Sequence, residues 1–350
     1  MSSPSQTATL DKYKVLRYTL YYMIPILTIL KEKKQRLDGF RPFSVDLITN
    51  LREWFKIELT YTSNAIEGNT LSRAETALVV EKGVTVDGKT LQDHLEAVNH
   101  AQAFDWVMQR IDTTKHDVTE NTILELHQLI LQKIADNQVG RYRTVPVRIA
   151  GSTVVLPNAM KVPQLMSQYI SWLHHSTENP LTVAVDAHVK LVSIHPFVDG
   201  NGRTARLLMN LLLMQAGYPP AIIRKEERKQ YIASIEKAQL GGPLTDYYAL
   251  MYEAIHRSLD IYLEALEGKV QEKTLAKKNV LKIGELAELV GETVPTIRHW
   301  TKEGLLDVAE YSPGGYHLYS QSQVAVIKKI RTLQDKDRLT IAEIKKTLKK

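Results

Sequence analysis

The spacing of apolar residues predicts a largely helical protein. Leucine, isoleucine and aromatic side chains recur every three or four positions in ENTILELHQLILQKI (120–134) and LTDYYALMYEAIHRSLDIYLEAL (244–266), and fairly regularly in KTLQDHLEAVNHAQAFDWVMQRI (89–111). Short Gly, Pro and Asn punctuation separates these runs up to about residue 266. One interval breaks the helical period. VRIA and TVVL, two β-prone runs on either side of Gly151 and Ser152, predict a tight hairpin. EGKVQEKTLAKKN (267–279) has no apolar face and predicts a linker before a second, smaller domain over 280–350. There VLKIGELAELVGETVPTIRHWTKEGLL predicts two short amphipathic helices turning at Gly291, the pattern of a helix-turn-helix. EYSPGGYHLYSQSQ then predicts a turn with short strands, a wing, and helical spacing returns in VAVIKKIRTL and TIAEIKKTL.

Composition changes this picture only by exclusion. A chain of 350 residues with 44% hydrophobic content can bury a sizeable core. With no cysteine it has no disulfide framework, thiolate metal site or thiol nucleophile, which fits a reducing cytoplasm. The N-terminus shows no export signal, and its apolar run YTLYYMIPILTIL is interrupted by Pro25 and too short for a membrane span of ~20 residues. A net charge of +6 is compatible with a nucleic-acid or phosphorylated ligand, but so modest an excess is usual for soluble proteins.

Chemistry concentrates in HPFVDGNGRTAR (195–206). GNGRTA formally satisfies a dinucleotide-binding fingerprint, but the acidic residue expected about 20 positions later is absent, and so is repeated strand–helix alternation. No Gly-Lys-Ser/Thr follows, which excludes a P-loop. The segment upstream, VAVDAHVKL, alternates like a strand, yet Leu181, Val185, His188, Leu191, Val192 and His195 also fall near one helical face, and periodicity does not decide between them. Downstream, RTARLLMNLLLMQAG is helical, so Gly200, Asn201 and Gly202 lie at a helix start whose open N–H groups suit anionic oxygens. Arg203 and Arg206 oppose the macrodipole there, a conflict that a bound polyphosphate would remove. Asp199 is a hard oxygen donor suited to Mg2+ shared with substrate phosphates, and His195 can serve as a base. Together these point to phosphoryl or nucleotidyl transfer.

A second stretch, TSNAIEGNTLSRAE (62–75), places Glu67 in the last turn of a helix ended by Gly68 and Asn69, with Ser72 and Glu75 as a capping box for the next helix. Local rules disfavour a carboxylate at that end, leaving Glu67 either exposed or paired with a cation, and on local grounds exposure is the simpler expectation.

HPFVDGNGRTAR resembles the signature of the Fic family, H-x-F-x-[D/E]-G-N-G-R-x-x-R, with every fixed position filled. The likeness runs from about residue 45 to 265 and includes GRYRTVPVRIAGS and VPQLM. It implies a mainly α fold, a helical bundle with a β-hairpin flap, comprising an N-terminal helical region (1–110) and a catalytic core (111–266). It also implies transfer of AMP from ATP to a Ser, Thr or Tyr hydroxyl of a target protein or of the chain itself. By resemblance His195 is the base, Asp199 the Mg2+ ligand, Gly200 to Gly202 the phosphate cradle, Phe197 a core anchor and Arg206 the γ-phosphate contact, with Tyr231 near the adenine; by helical spacing Arg203, three positions before Arg206, can reach the same ligand. Ser63, Glu67 and Gly68 match the family's inhibitory motif, [S/T]-x-x-x-E-[G/N], within a helix near 47–68, which implies that Glu67 pairs with Arg206 and blocks productive ATP. The same glutamate serves AMP removal in some relatives, and transfer of another phosphate-containing group remains open beside it. The hairpin is then a flap pairing with the target's backbone.

Residues 281–350 resemble the DNA-binding domain of the MerR family, although His317 stands where the wing of that family has an arginine. Arg298, Lys302, Tyr316 and His317 are the candidates for DNA backbone contacts. The small basic excess there leaves a protein-binding role open, as it leaves open a regulator whose Fic domain only senses nucleotide. The long dimerising helix of MerR regulators is absent, so a homodimer would have to form through the Fic part.

Overall fold

The computed structural model describes residues 25–135, 137–267, 280–311, 317–335 and 339–348. The chain divides into two compact units that meet between Leu266 and Glu267. Nearly all of the expected linker, 268–279, lies outside the described residues.

The larger unit is helical. In order it contains α1 (25–38), α2 (Val45–Glu67), α3 (Arg73–Lys82), α4 (Leu91–Met108), α5 (Glu120–Leu131), α6 (Val162–His175), α7 (Pro180–Ile194), α8 (Asn201–Gln215), α9 (Arg228–Gln239) and α10 (Thr245–Leu266). The undecided segment before the signature is therefore a helix, α7. Asn179 caps its first amides and Pro180 sits in its first turn, where a missing N–H costs nothing. α8 has the opposite environment to a surface helix: Leu207, Leu208, Met209, Leu211, Leu212 and Leu213 are all buried, and so are Arg203, Arg206 and Asn210 on its remaining face. A helix buried on every side has to be central. α7 packs along it more extensively than any other helix, and α2, α4 and α5 close around the pair.

The turn expected at Gly151 exists: Gly151 has φ +77° and the Ser152 N–H donates to Ile149 O. Its flanks form no strand ladder, and among the described residues the β-structure lies in the smaller unit. The loop carries no regular structure and leaves Val145 and Val155 exposed, and two short runs on their own make at best a marginal hairpin in water.

In the smaller unit the helices Ile283–Val290 and Val294–Lys302 flank Gly291, which ends the first in the left-handed conformation. Strand Val280–Lys282 pairs antiparallel with His317–Ser320, which also pairs with Glu310–Tyr311, giving a three-stranded wing. The first strand was not foreseen. Helices Gln323–Asp335 and Ile341–Leu348 follow. Leu286, Ile297, Trp300, Tyr319, Ile330 and Ile344 make a core separate from that of the larger unit. Among the described residues no helix is long and apolar enough to cross a membrane.

Candidate active site

The signature forms the corner between the two central helices. His195 ends α7 in the left-handed region (φ 53°, ψ 59°), a conformation that non-glycine residues rarely adopt and that turns the chain sharply. Below the corner, Phe197 is fully buried and stacks on His127 of α5, with ring centroids 3.7 Å apart. The Gly140 N–H donates to His127 Nδ1 (3.1 Å), so the proton of that ring resides on Nε2 and is donated to Asp199 O (3.0 Å). Burial lowers the pKa of His127 to about 4, keeping it a neutral clamp. Asn201 spends its side chain on the same corner: Oδ1 accepts from Phe197 N–H (2.9 Å) and Nδ2 donates to Phe197 O (3.0 Å). Its side chain therefore shapes the loop, leaving backbone as its contribution to the cradle.

α8 starts at Gly200, which is left-handed (φ 75°) and presses on Leu131 and His127 so closely that a Cβ would lie 3.1–3.4 Å from them. No side chain caps this helix. Its first amides are consequently open to an external anion.

The base and the two arginines differ in their surroundings. His195 Nδ1 faces Val192 O at 3.3 Å, an atom that can only accept, so the proton belongs on Nδ1 and Nε2 carries a free lone pair. Burial, helped by the Arg143 charge, lowers its pKa below the ordinary imidazole value, against the opposing pull of Val192 O, Glu67 and Asp199. Arg203 is buried, with Nη1 3.1 Å from Glu96 and Nη2 3.3 Å from Asp199. Arg206, also buried, donates from Nη2 to Glu67 Oε1 (2.6 Å) and Ser63 O (2.9 Å), from Nε to Ser63 Oγ (3.0 Å), and from Nη1 to Tyr231 Oη (3.3 Å). Thus three carboxylates of the chain itself answer the two cations that oppose the macrodipole.

Glu67 is not simply exposed. Gly68, at φ 106°, ends α2 directly after it, and Arg228 Nε donates to Ile66 O (2.5 Å), putting positive charge at that helix end. Burial acts to raise its pKa, but Arg206, with Arg203 and Arg228 behind it, outweighs burial and holds the carboxyl below the ordinary range. The carboxylate lies against the start of α8: a Cβ on Gly202 would be 2.4 Å from Glu67 Oε1. A negative group of the chain thus occupies the approach to the open amides.

Tyr231 is 3% exposed, and its hydroxyl belongs to a directed chain of bonds. Tyr247 Oη donates to Val185 O (2.8 Å) and so accepts from His188 Nδ1 (2.8 Å); His188 Nε2 then accepts from Tyr231 Oη (2.8 Å), which accepts from Arg206. Burial drives the pKa of His188 to about 3, so this ring stays neutral. Tyr231 positions Arg206 as well as forming part of the pocket wall.

A pocket of about 150 Å³ lies between His195, Glu67, Gly202 and Arg206, with Tyr231 and Ile235 on one side and Ile149 and Ser152 of the loop on another. Sequence reasoning missed Glu96, His127 and Arg143, which hold the signature in place, and placed His188 on a helical face without its tyrosine partners. Arg143 lies within the quoted GRYRT, and the others carry no local pattern that marks a partner.

In the smaller unit Arg298 and Lys302 are exposed and one helical turn apart, whereas Ile297 and Trp300 are buried. His317 begins the central strand of the wing, its Nδ1 3.5 Å from Tyr319 Oη. Tyr316 lies outside the described residues.

Residues 117–213 match the Fic/DOC family and residues 281–350 the MerR HTH family regulatory protein. The protein adenylyltransferase Fic of Drosophila grimshawi is 35% identical over 266 residues, covering 75% of this chain and 54% of the relative. Its namesake in Drosophila melanogaster is 37% identical over 238 residues, covering 67% and 48%. The chain thus spans about half the length of these relatives. Among solved structures, Fic-1 (residues 134–508) of C. elegans superposes with a TM-score of 0.65 at 29% identity, covering 75% of this chain and 78% of that one. A Fic domain containing signaling protein from Bacteroides thetaiotaomicron gives 0.61 at 26%, covering 69% and 97%. By these matches the chain carries a Fic/DOC family domain over 117–213, followed by a MerR-type helix-turn-helix segment over 281–350.

Proposed function

We propose that the protein transfers AMP from ATP to a Ser, Thr or Tyr hydroxyl of a target protein, its own chain included, and that Glu67 holds this activity in check. The naming of relatives at 35–37% identity as protein adenylyltransferases supports the reaction class. The observation that carries the reading is the Glu67–Arg206 pair, 2.6 Å long, lying over the uncapped start of α8.

With Glu67 displaced, Arg206 and the amides of Gly200 to Gly202 can hold the anionic oxygens of ATP. His195 Nε2 takes the proton of the acceptor hydroxyl, whose oxygen bonds to the α-phosphorus; the bond to the bridging oxygen breaks and pyrophosphate leaves. With Glu67 in place, its carboxylate repels the phosphates and engages the guanidinium they need. Asp199 suits a Mg2+ ion: its side chain is 62% exposed, and contacts to Gly200 N–H and Arg203 leave oxygen lone pairs open. One carboxylate plus substrate oxygens is a usual Mg2+ environment, and the ion would neutralise phosphate charge when bound.

The test is labelling from α-32P-ATP and γ-32P-ATP in cell lysate, with wild type, Glu67→Gly, and Glu67→Gly combined with His195→Ala. Label from the α-position alone, raised by Glu67→Gly, and abolished by His195→Ala or by EDTA, is the expected outcome. No label from either nucleotide in any variant sinks AMP transfer from ATP.

The MerR-type segment supports a second role, contact with DNA, through Arg298 and Lys302 on one exposed face of Val294–Lys302.

A further inference from the structure

Arg143 is a buried cation without a carboxylate. It is 3% exposed, and no acidic side chain pairs with it among the described residues. Instead each nitrogen of its planar fork donates to a carbonyl: Nε to His195 O (2.8 Å), Nη1 to Val145 O (3.2 Å) and Nη2 to Pro157 O (2.6 Å), while its own backbone N–H donates to Pro196 O (2.9 Å). Val145 and Pro157 are the two roots of the loop turning at Gly151. One side chain therefore ties both ends of that loop to the backbone of the corner that carries the base. Desolvating a guanidinium is costly, and burial lowers the Arg143 pKa, so three carbonyls are a specific compensation.

Two further facts give this tie a consequence. The loop contributes Ile149 and Ser152 to the pocket that also contains His195, and Ser152 Oγ donates to Glu236 Oε1 (2.6 Å) on the opposite wall. Between its roots no backbone ladder supports the loop, and Val155 is 90% exposed, so its distance from His195 is set by the Arg143 tie at its ends and the Ser152–Glu236 contact at its turn.

We infer that Arg143 is a positioning residue that registers the loop against His195, so that an acceptor polypeptide lying along the loop presents its hydroxyl to Nε2. This rests on the AMP-transfer reading for its kinetic consequence, although not for the anchoring itself. Arg143 makes no bond to the phosphate cradle itself, which predicts an unequal effect: recognition of the acceptor suffers more than recognition of ATP. A misplacement of about 1 Å is enough for a large rate loss.

The experiment has two arms on the full chain. In the first, wild type, Arg143→Met and Arg143→Lys are digested with limiting trypsin, and cutting after the exposed Arg148 is followed. Arg143→Met is expected to speed that cut about tenfold relative to cuts in the helical core, because local opening governs cleavage; Arg143→Lys, with a single donor group in place of the fork, falls between. An Arg148 cut that speeds no more than the core cuts overturns the anchoring. In the second arm, in the Glu67→Gly background, the KM for the labelled protein should rise about tenfold with Arg143→Met while the KM for ATP rises by much less. Equal rises in both, or no rise in the first, overturn the positioning role. Failure of the Glu67→Gly parent to label anything counts against AMP transfer, and the proteolysis arm still decides whether Arg143 anchors the loop.

Discussion

At the scale of single residues, the site is built so that its charges do not titrate where it works. The pKa of His195 lies below the free imidazole value of about 6.5, so its Nε2 is unprotonated at neutral pH. A base loses activity when protonated, so labelling by Glu67→Gly is expected to be flat from pH 8 to about 6.5 and to fall only on further acidification. Glu67 behaves in the opposite sense. Its folded-state pKa is depressed below the unfolded value of about 4.3, so the pairing with Arg206 is fully present above that value and lost as pH falls through the folded one. Acidification from pH 8 to 5 should therefore leave the ratio of wild-type to Glu67→Gly labelling constant. A ratio that climbs in this range would show that a group other than the Glu67 carboxyl controls the block. Both residues were legible from their motifs, because each motif is continuous in sequence. The chain from Arg206 through Tyr231, His188 and Tyr247 was not, since its members sit on four helices and only their packing gives the bonds a direction.

At the scale of elements, the start of α8 is where fold and chemistry compete. Gly202 is inside the helix, where alanine would ordinarily gain about 0.5–1 kcal/mol. Its Cβ would lie 2.4 Å from Glu67 Oε1 and 3.0 Å from Arg206 Nη1, the space where the carboxylate meets the guanidinium. In wild type the flexible Glu67 side chain can yield; in the Glu67→Gly background the methyl instead obstructs an incoming phosphate. Gly202→Ala in that background is expected to raise the KM for ATP at least about tenfold without lowering the melting temperature. An unchanged KM would mean that the phosphates do not approach α8 here. Helix ends were the best-read elements: the caps at Ser72, Gly68 and Gly291 stand where turn chemistry put them. For α7 the deciding signal was also present, Asn179 and Pro180 in capping order, but alternation in VAVDAHVKL obscured it. The hairpin was over-read, because β-prone residues around a glycine establish a turn, whereas a ladder also needs a surface to pack on.

At the scale of the whole molecule, two separate apolar cores make two compact units. The residues assigned to AMP transfer all lie before Leu266, so a fragment ending there with Glu67→Gly is expected to keep the KM for ATP of the full-length variant. If it does, the MerR-type segment acts on location or target choice, not on chemistry. DNA contact then has its own electrostatic test. Arg298 and Lys302 stand exposed a turn apart with Trp300 and Ile297 holding the opposite face in the core, so removing either charge should not disturb the fold. If both neutralise phosphates, duplex binding by the full chain falls steeply with salt, and Arg298→Ala or Lys302→Ala each lowers the slope of log K against log salt by about 1. Binding measured from about 50 to 200 mM salt checks this. Slopes unchanged in both variants would remove this face from DNA contact and turn the exposed pair toward an acidic protein surface.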